Sequence, residues 1–322
     1  MGKVISFMNN KGGVAKTMSA FNIGILWANI GKKILFIDLD SQANLTNMVS
    51  SDDPRYESRK WDNTIEDAFV IGPRLNPLPI LPSRYNNVDF VPADLKLSSF
   101  DVETSNITLK VYLLKDLIAP IKNNYDYIII DCPPALGGII MNAMVASDGI
   151  VLVSTPDQPS LDGMHMVVGV YNEVLADERL NPYLKFLGCL ITRVENDTIN
   201  KSYIGLIEEE FGAYVIKPFI RKNTKLNQSV SMHHVHIVNG VTIVHSHPYH
   251  KTDDGRPDHE HGYAKFQLLH QLSVLQITGA AFVAILLAAF YSFIRNLSFA
   301  PVYPDYIVPF RGRRTLRAPP IF

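Results

Sequence analysis

Residues 9–17, NNKGGVAKT, bring two glycines, two lysines and a threonine into a stretch short enough to wrap one anion. Gly12 and Gly13 let backbone N–H groups turn inward around phosphate oxygens. Lys16 would neutralise the β- and γ-phosphates of a nucleotide, and the Thr17 hydroxyl would ligate Mg²⁺. The cradle runs through Lys11, Gly12, Gly13, Val14, Ala15, Lys16, Thr17 and Met18. Two of its letters are unusual. Lys11 is a second lysine that such a loop does not need, and Ala15 stands where such loops usually keep a glycine. If the backbone there has positive φ, the Cβ costs about 1 kcal/mol or more. At negative φ it costs little. Nucleotide binding is expected to survive in either case.

Two further stretches supply carboxylates. ILFIDLDSQANLT (34–46) puts Asp38 and Asp40 at the end of an apolar run, and YIIIDCPPALG (127–137) ends another in Asp131 before a stiff Pro133-Pro134 turn. An acid at the end of a buried strand can hold the water shell of Mg²⁺, so Thr17, Asp38 and Asp131 form the candidate metal set. The two cysteines, Cys132 and Cys189, lie far apart, form no metal-ligand pattern and fit a reducing compartment.

The elements that must position these residues alternate in type. Short apolar, β-branched runs at 4–8, 34–37, 88–91, 127–130, 150–153 and 186–191 read as strands. Helical spacing appears at 16–30, 108–122, 161–175 and 198–211, while the proline-rich stretch 50–82 reads as an irregular surface excursion. Continuously apolar strands alternating with helices predict an α/β domain, a mostly parallel twisted sheet with helices on both faces. The phosphate loop then follows a strand and opens a helix, the context a P-loop NTPase requires.

Residues 1 to about 230 resemble the ParA/Soj/MinD family of deviant Walker A ATPases, and most closely the short ParA-type partition proteins. The motifs that carry the resemblance are KGGVAKT (11–17), DLDSQAN (38–44), DCPPALG (131–137) and RKNTKLNQSVS (221–231). The resemblance implies ATP and Mg²⁺ as cofactors and ATP hydrolysis as the activity. It also implies a role for Lys11, which would cross a nucleotide-sandwich homodimer to touch the phosphates bound by the other subunit, so that activity is tied to dimerisation. It makes Lys11, Lys16 and Asp40 the catalytic set, with Asp40 orienting the attacking water and Asp38 supporting the loop and the metal shell. Gln42 and Asn44 would belong to a first switch and Asp131 to a second. Ser41 replaces the family's usual proline and Ala43 its usual glycine.

The resemblance further implies non-specific DNA binding by the ATP-bound dimer, through Arg221, Lys222 and Lys225, and a centromere-binding ParB-like partner. The expected location is cytoplasmic and nucleoid-associated. No helix-turn-helix precedes the first strand, so sequence-specific operator binding is not expected. Three other readings compete. A MinD-like membrane ATPase would end in a short basic amphipathic helix, and a full-length apolar span stands there instead. A nitrogenase-type iron-protein reductase would need cysteines arranged around a cluster. A non-enzymatic scaffold would not need Lys16, Thr17, Asp40 and Asp131 together.

The chain has 322 residues and a net charge of −1, an ordinary globular balance. Near residue 231 its character changes. Nine of the ten histidines fall between His233 and His270, and His233, His236, His245 and His247 have spacings suited to a transition metal. Residues 274–294 contain no charge, enough to cross a hydrocarbon core of about 30 Å. The expected organisation is therefore an ATPase domain at 1–231, a histidine-rich segment at 232–270, a candidate transmembrane helix at 271–296 that would tether the chain to a membrane, and a basic Pro/Arg tail at 297–322. One cytoplasmic span would place the terminal arginines outside, against the positive-inside tendency. Residues 232–322 are accordingly read as coming from a different gene or reading frame, an unrelated small histidine-rich membrane protein joined to the ATPase.

Overall fold

The computed structural model describes residues 2–51, 53–57, 60–71 and 77–222, together with the backbone of 234–238 and 241–245. In chain order the elements are β1 (Lys3–Met8), α1 (Lys16–Asn29), β2 (Ile34–Asp38), α2 (Asn44–Ser50), α3 (Ile65–Ile71), β3 (Leu81–Pro82), β4 (Val88–Val91), α4 (Phe100–Glu103), α5 (Leu113–Ile118), β5 (Tyr127–Asp131), α6 (Gly138–Ala146), β6 (Gly149–Ser154), α7 (Gln158–Ala176), β7 (Lys185–Ile191), α8 (Thr198–Phe211) and β8 (Val215–Ile216). These strands form one sheet in the order β3-β4-β2-β5-β1-β6-β7-β8. Every pairing is parallel except β3 with β4 at one edge.

Alternation along the central strands explains the two layers of helices. Ile34, Phe36, Tyr127 and Ile129 face a core with α1 and α2, where Trp27 and Phe90 are fully buried. Leu35, Ile37, Ile128 and Ile130 face the opposite core with Phe69, Phe100, Leu114, Met144 and Met164. A sheet buried on both faces needs apolar residues at every position, which is why these strands read as unbroken runs. Gly24 lets α1 approach the sheet, since a Cβ there would strike the Phe36 ring.

Three expectations about elements change. The stretch 108–122 is not one helix: α5 covers only 113–118, flanked by 3-10 turns at Lys110–Tyr112 and Lys122–Asn124. Pro120 excludes continuation, and the Asn142 side chain holds the start by accepting from the Leu114 N–H and donating to the Lys110 carbonyl. The excursion 50–82 contains α3, whose start Asp67 secures by accepting from the Thr64 N–H at 2.8 Å, one half of a capping box. Helix α6, behind Gly137-Gly138, was hidden by its continuous apolarity.

Beyond the sheet, His234–Val238 (β9) and Val241–His245 (β10) pair antiparallel, with His236 opposite Ile243 and His245 opposite His234. His233 and His247 lie outside the described residues, as do the apolar span 274–294 and the arginine tail. Among the described residues no helix is long and apolar enough to cross a membrane.

Candidate nucleotide-binding site

The strand order places the carboxyl ends of β2, β5, β1, β6 and β7 side by side. Ligands of open parallel sheets bind at that edge. β5 runs between β2 and β1, so Asp131 stands directly opposite Asp38 on one side and Phe7 on the other. The phosphate loop follows β1 and leads into α1, and the stretch 39–43 follows β2 and leads into α2. Thus the residues singled out from the sequence between positions 11 and 131 converge on one edge.

Lys16 is 6% exposed, and its Nζ donates to the Lys11 carbonyl at 2.9 Å, closing the loop on itself. Burial lowers its pKa, and Asp131, Cys132 and Asp40 work against that shift. The backbone settles what stands in for the glycine. Gly13 has φ 76° and Ala15 has φ 65°, so Ala15 occupies the left-handed region and carries the Cβ penalty. The other residue that replaces an expected glycine, Ala43, has φ 53°. Each alanine is the N-cap of the helix that follows, α1 and α2, and neither supplies a side-chain cap.

Lys11 is not a free loop charge. Its Nζ lies 2.7 Å from both carboxylate oxygens of Asp157 and 3.4 Å from the Thr155 hydroxyl. Burial tends to raise the Asp157 pKa, but the hydrogen bonds from Lys11, Thr155 and the Ser160 N–H win and hold it below the usual value. Asp157 also caps α7 by accepting from Ser160 N–H at 2.9 Å. Sequence reading missed Asp157, and it missed Asn9. That side chain, 1% exposed, donates to the Val153 and Ser160 carbonyls and accepts from the Lys11 N–H. Gly163 is what allows α7 this close, because a Cβ there would strike Asn9 Oδ1. The signal for both residues was local: Asp157 precedes a proline-containing helix start, and Asn9 directly follows a buried strand.

The carboxylates divide the work. Asp38 is fully committed to its own loop: one oxygen accepts from the Asp40 N–H, the other from the Thr46 N–H and hydroxyl at 2.8 Å. Asp40 accepts from the Gln42 N–H at 3.0 Å and is half-buried. Asp131 is wholly buried, and neither of its oxygens has a well-formed hydrogen bond. Burial, then the neighbouring Asp38, push its pKa well up, while Thr17 and Lys16 pull it back. Burial also pushes Asp38 up to about 6, against the Thr46 hydrogen bonds. Two adjacent buried carboxylates, one of them lacking a well-formed hydrogen bond and beside the Thr17 hydroxyl, fit a divalent cation that would supply the missing positive charge.

The basic residues near the end of the domain stand differently. Arg221 is exposed and its backbone bridges Val194. Lys222 is ion-paired with Glu195 at 2.6 Å. Lys225 lies outside the described residues. Buried Cys132 and Cys189 are both free thiols.

Comparison with known proteins agrees with this geometry. A family profile described as "AAA domain" matches residues 2–186, and one described as "Domain of unknown function (DUF8478)" matches residues 226–274. The second match covers the histidine-rich segment and begins inside the stretch expected to close the ATPase domain. The chain is 33% identical over 232 residues to the sporulation initiation inhibitor protein Soj of Bacillus subtilis, covering 72% of this chain and 88% of that protein. It is 30% identical over 239 residues to the chromosome partitioning protein ParA of Myxococcus xanthus, covering 72% and 79% respectively. Cobyrinic acid a,c-diamide synthase from Mycobacterium smegmatis, solved with bound ADP and magnesium, superposes with a TM-score of 0.61 at 25% identity over 70% of this chain and 88% of that one. Phosphate loop, strand-end carboxylates and relatives together assign the chain to the ParA/Soj family of P-loop ATPases.

Proposed function

We propose that the chain is an ATP-hydrolysing, dimerising switch that partitions or positions plasmid or chromosomal DNA and binds DNA non-specifically as its ATP-bound dimer. The observation that carries this reading is the contrast between the two lysines of one loop. Lys16 is buried and turned into the loop, whereas Lys11 points away to a partly exposed carboxylate. A cation serving the loop's own nucleotide has no reason to lie on Asp157; one that must reach a second copy needs a place to wait.

In this reading Lys16, Thr17 and the loop N–H groups bind the phosphates, and Mg²⁺, held by Thr17 and Asp131 with Asp38 behind them, neutralises phosphate charge when bound. Asp40 orients the attacking water, its half-buried carboxylate being engaged by the Gln42 N–H of its own loop. Lys11 leaves Asp157 and supplies positive charge across the dimer. Arg221 and Lys225, with Lys222 once released from Glu195, contact DNA phosphates. Such contacts weaken steeply with salt. The partner in this reading is a centromere-binding ParB-like protein.

The second reading is a membrane-associated positioning ATPase, tethered by the uncharged span 274–294 in place of the short amphipathic helix that MinD-like ATPases carry. Retention of the full chain on DNA and its pelleting with anionic vesicles, each with ATP and without, separate the two. ATP-dependent DNA retention supports partition. ATP-dependent pelleting without DNA retention overturns it.

A further inference from the structure

The phosphate loop is gripped from outside by one corner of the fold that carries none of the motifs noted in the sequence. Thr192 and Arg193 follow β7 directly. The Thr192 hydroxyl, in a residue 1% exposed, donates to the Val14 carbonyl at 2.8 Å. The Arg193 Nη1 donates to the Gly13 carbonyl at 2.8 Å. Two consecutive carbonyls of the loop are thus held by two consecutive residues some 180 positions later.

A peptide unit is planar and trans, so its carbonyl and its N–H point in opposite directions. Fixing the Gly13 carbonyl on Arg193 turns the Val14 N–H away from the β7 corner, and fixing the Val14 carbonyl on Thr192 does the same for the Ala15 N–H. β7 lies on one side of β1 and β5 on the other. The two N–H groups therefore turn towards the side that carries Asp131 and Thr17. Adjacent N–H groups facing one way make an anion nest.

Arg193 holds this post under strain. Its φ is 54°, the left-handed region that a long side chain avoids. The corner is braced to keep it there. Val194 N–H donates to the Ile220 carbonyl, Lys222 N–H donates to the Val194 carbonyl, and Lys222 pairs with Glu195. A strained, exposed arginine whose guanidinium ends on a phosphate-loop carbonyl is poorly explained by stability alone.

We infer that Arg193 is a positioning residue for nucleotide binding: it presets the phosphate-loop N–H groups for the anion, acting through the Gly13 carbonyl. The inference rests on the nucleotide-binding reading above and extends it to a residue outside the matched motifs. Because the nest is formed before ligand arrives, removing Arg193 weakens nucleotide binding more than it slows chemistry.

The test measures ATP affinity, kcat and melting temperature for the full chain and for Arg193→Met, Arg193→Gly and Arg193→Lys. Arg193→Met removes the donor and keeps the strain; Arg193→Gly removes both; Arg193→Lys keeps a donor of similar reach. The expected result is an ATP Kd raised about fivefold in both Met and Gly variants with kcat within about twofold. Arg193→Gly melts at or above the parent, and Arg193→Lys keeps most of the affinity. Parental affinity in the Met and Gly variants, or a loss that follows melting temperature across the set, overturns the inference. Failure of the parent itself to bind ATP would instead defeat the nucleotide-binding reading.

Discussion

Two strand–loop–helix units meet at the site, and both use an alanine at positive φ to enter the helix. They are anchored in opposite ways. The β1–α1 loop is tied across the fold: Lys11 to Asp157, Gly13 to Arg193, Val14 to Thr192. The β2–α2 loop is tied chiefly to itself: Asp40 N–H to Asp38, Gln42 N–H to Asp40, Thr46 to Asp38, with separations of two to eight residues. A loop held by distant elements keeps its shape while ligand comes and goes. One held by its own residues can exchange those bonds for others without disturbing the sheet, which is what a switch requires. In the proposed function the first loop is a fixed cradle and the second a movable sensor, built from neighbouring strands.

The largest expected effect comes from removing chemistry from each unit in turn. Lys16→Ala in the cradle should lose nucleotide binding and hydrolysis together. Asp40→Ala in the switch should keep ATP binding and lose roughly 100-fold or more in turnover. Phosphate release alongside equilibrium ATP binding checks both; equal loss of binding in the two variants would erase the distinction between cradle and sensor.

Next in size is the carboxylate pair between the units. The Asp38 pKa is raised to about 6 in the folded chain from 3.8, so folding takes up a proton. Nucleotide-free stability should then fall as pH rises from about 4 to about 6, and remain lower above that. Asp131→Asn removes one of the two adjacent acids. It should raise the melting temperature at neutral pH, flatten that slope, and impair Mg²⁺-dependent hydrolysis. Melting curves from about pH 4 to about pH 8, free of nucleotide, measure it.

Thr46→Val strikes the self-anchoring of the switch. It removes the hydroxyl donor to Asp38 and the acceptor of the Ala93 N–H, and should cost about 2 kcal/mol in urea unfolding. Smaller still, Ala15→Gly and Ala43→Gly should each stabilise by about 1 kcal/mol, because both backbones are left-handed. The two glycines should differ in function, with Ala43→Gly altering turnover and Ala15→Gly leaving ATP affinity nearly unchanged. Asp157→Asn keeps the cap of α7 and releases Lys11. The pair is part-exposed, so stability should change by under about 1 kcal/mol, while dimerisation on ATP should set in at lower protein concentration.

Much of this site was legible because phosphate chemistry fixes residue types at short spacing. Lys16, Thr17, Asp38, Asp40 and Asp131 announce themselves at the ends of apolar runs, and the runs alone imply the buried parallel sheet. Ala15 was legible as a question but not as an answer, since φ is a property of the folded backbone. The pairings of Asp157, Asn9, Thr192 and Arg193 were not legible. Their partners lie some 145 to 180 residues away, and nothing in a local window connects them. The helix α3 was available in the sequence as Thr64 with Asp67 three residues on, but the prolines around it concealed the cap. For the histidine-rich module and the span that follows, sequence supplies composition without partners to pack against, and the profile match at 226–274 shows only that the first part recurs.

In the proposed function Lys11 acts on a second copy of the chain. Steady-state ATP turnover per chain, followed over a wide range of protein concentration for the full chain and for Lys11→Ala, tests it most directly. Turnover per chain should rise with concentration in the parent, and Lys11→Ala should stay low and flat while still binding ATP. Robust turnover by Lys11→Ala, or turnover in the parent that is independent of concentration down to the most dilute sample, would contradict it.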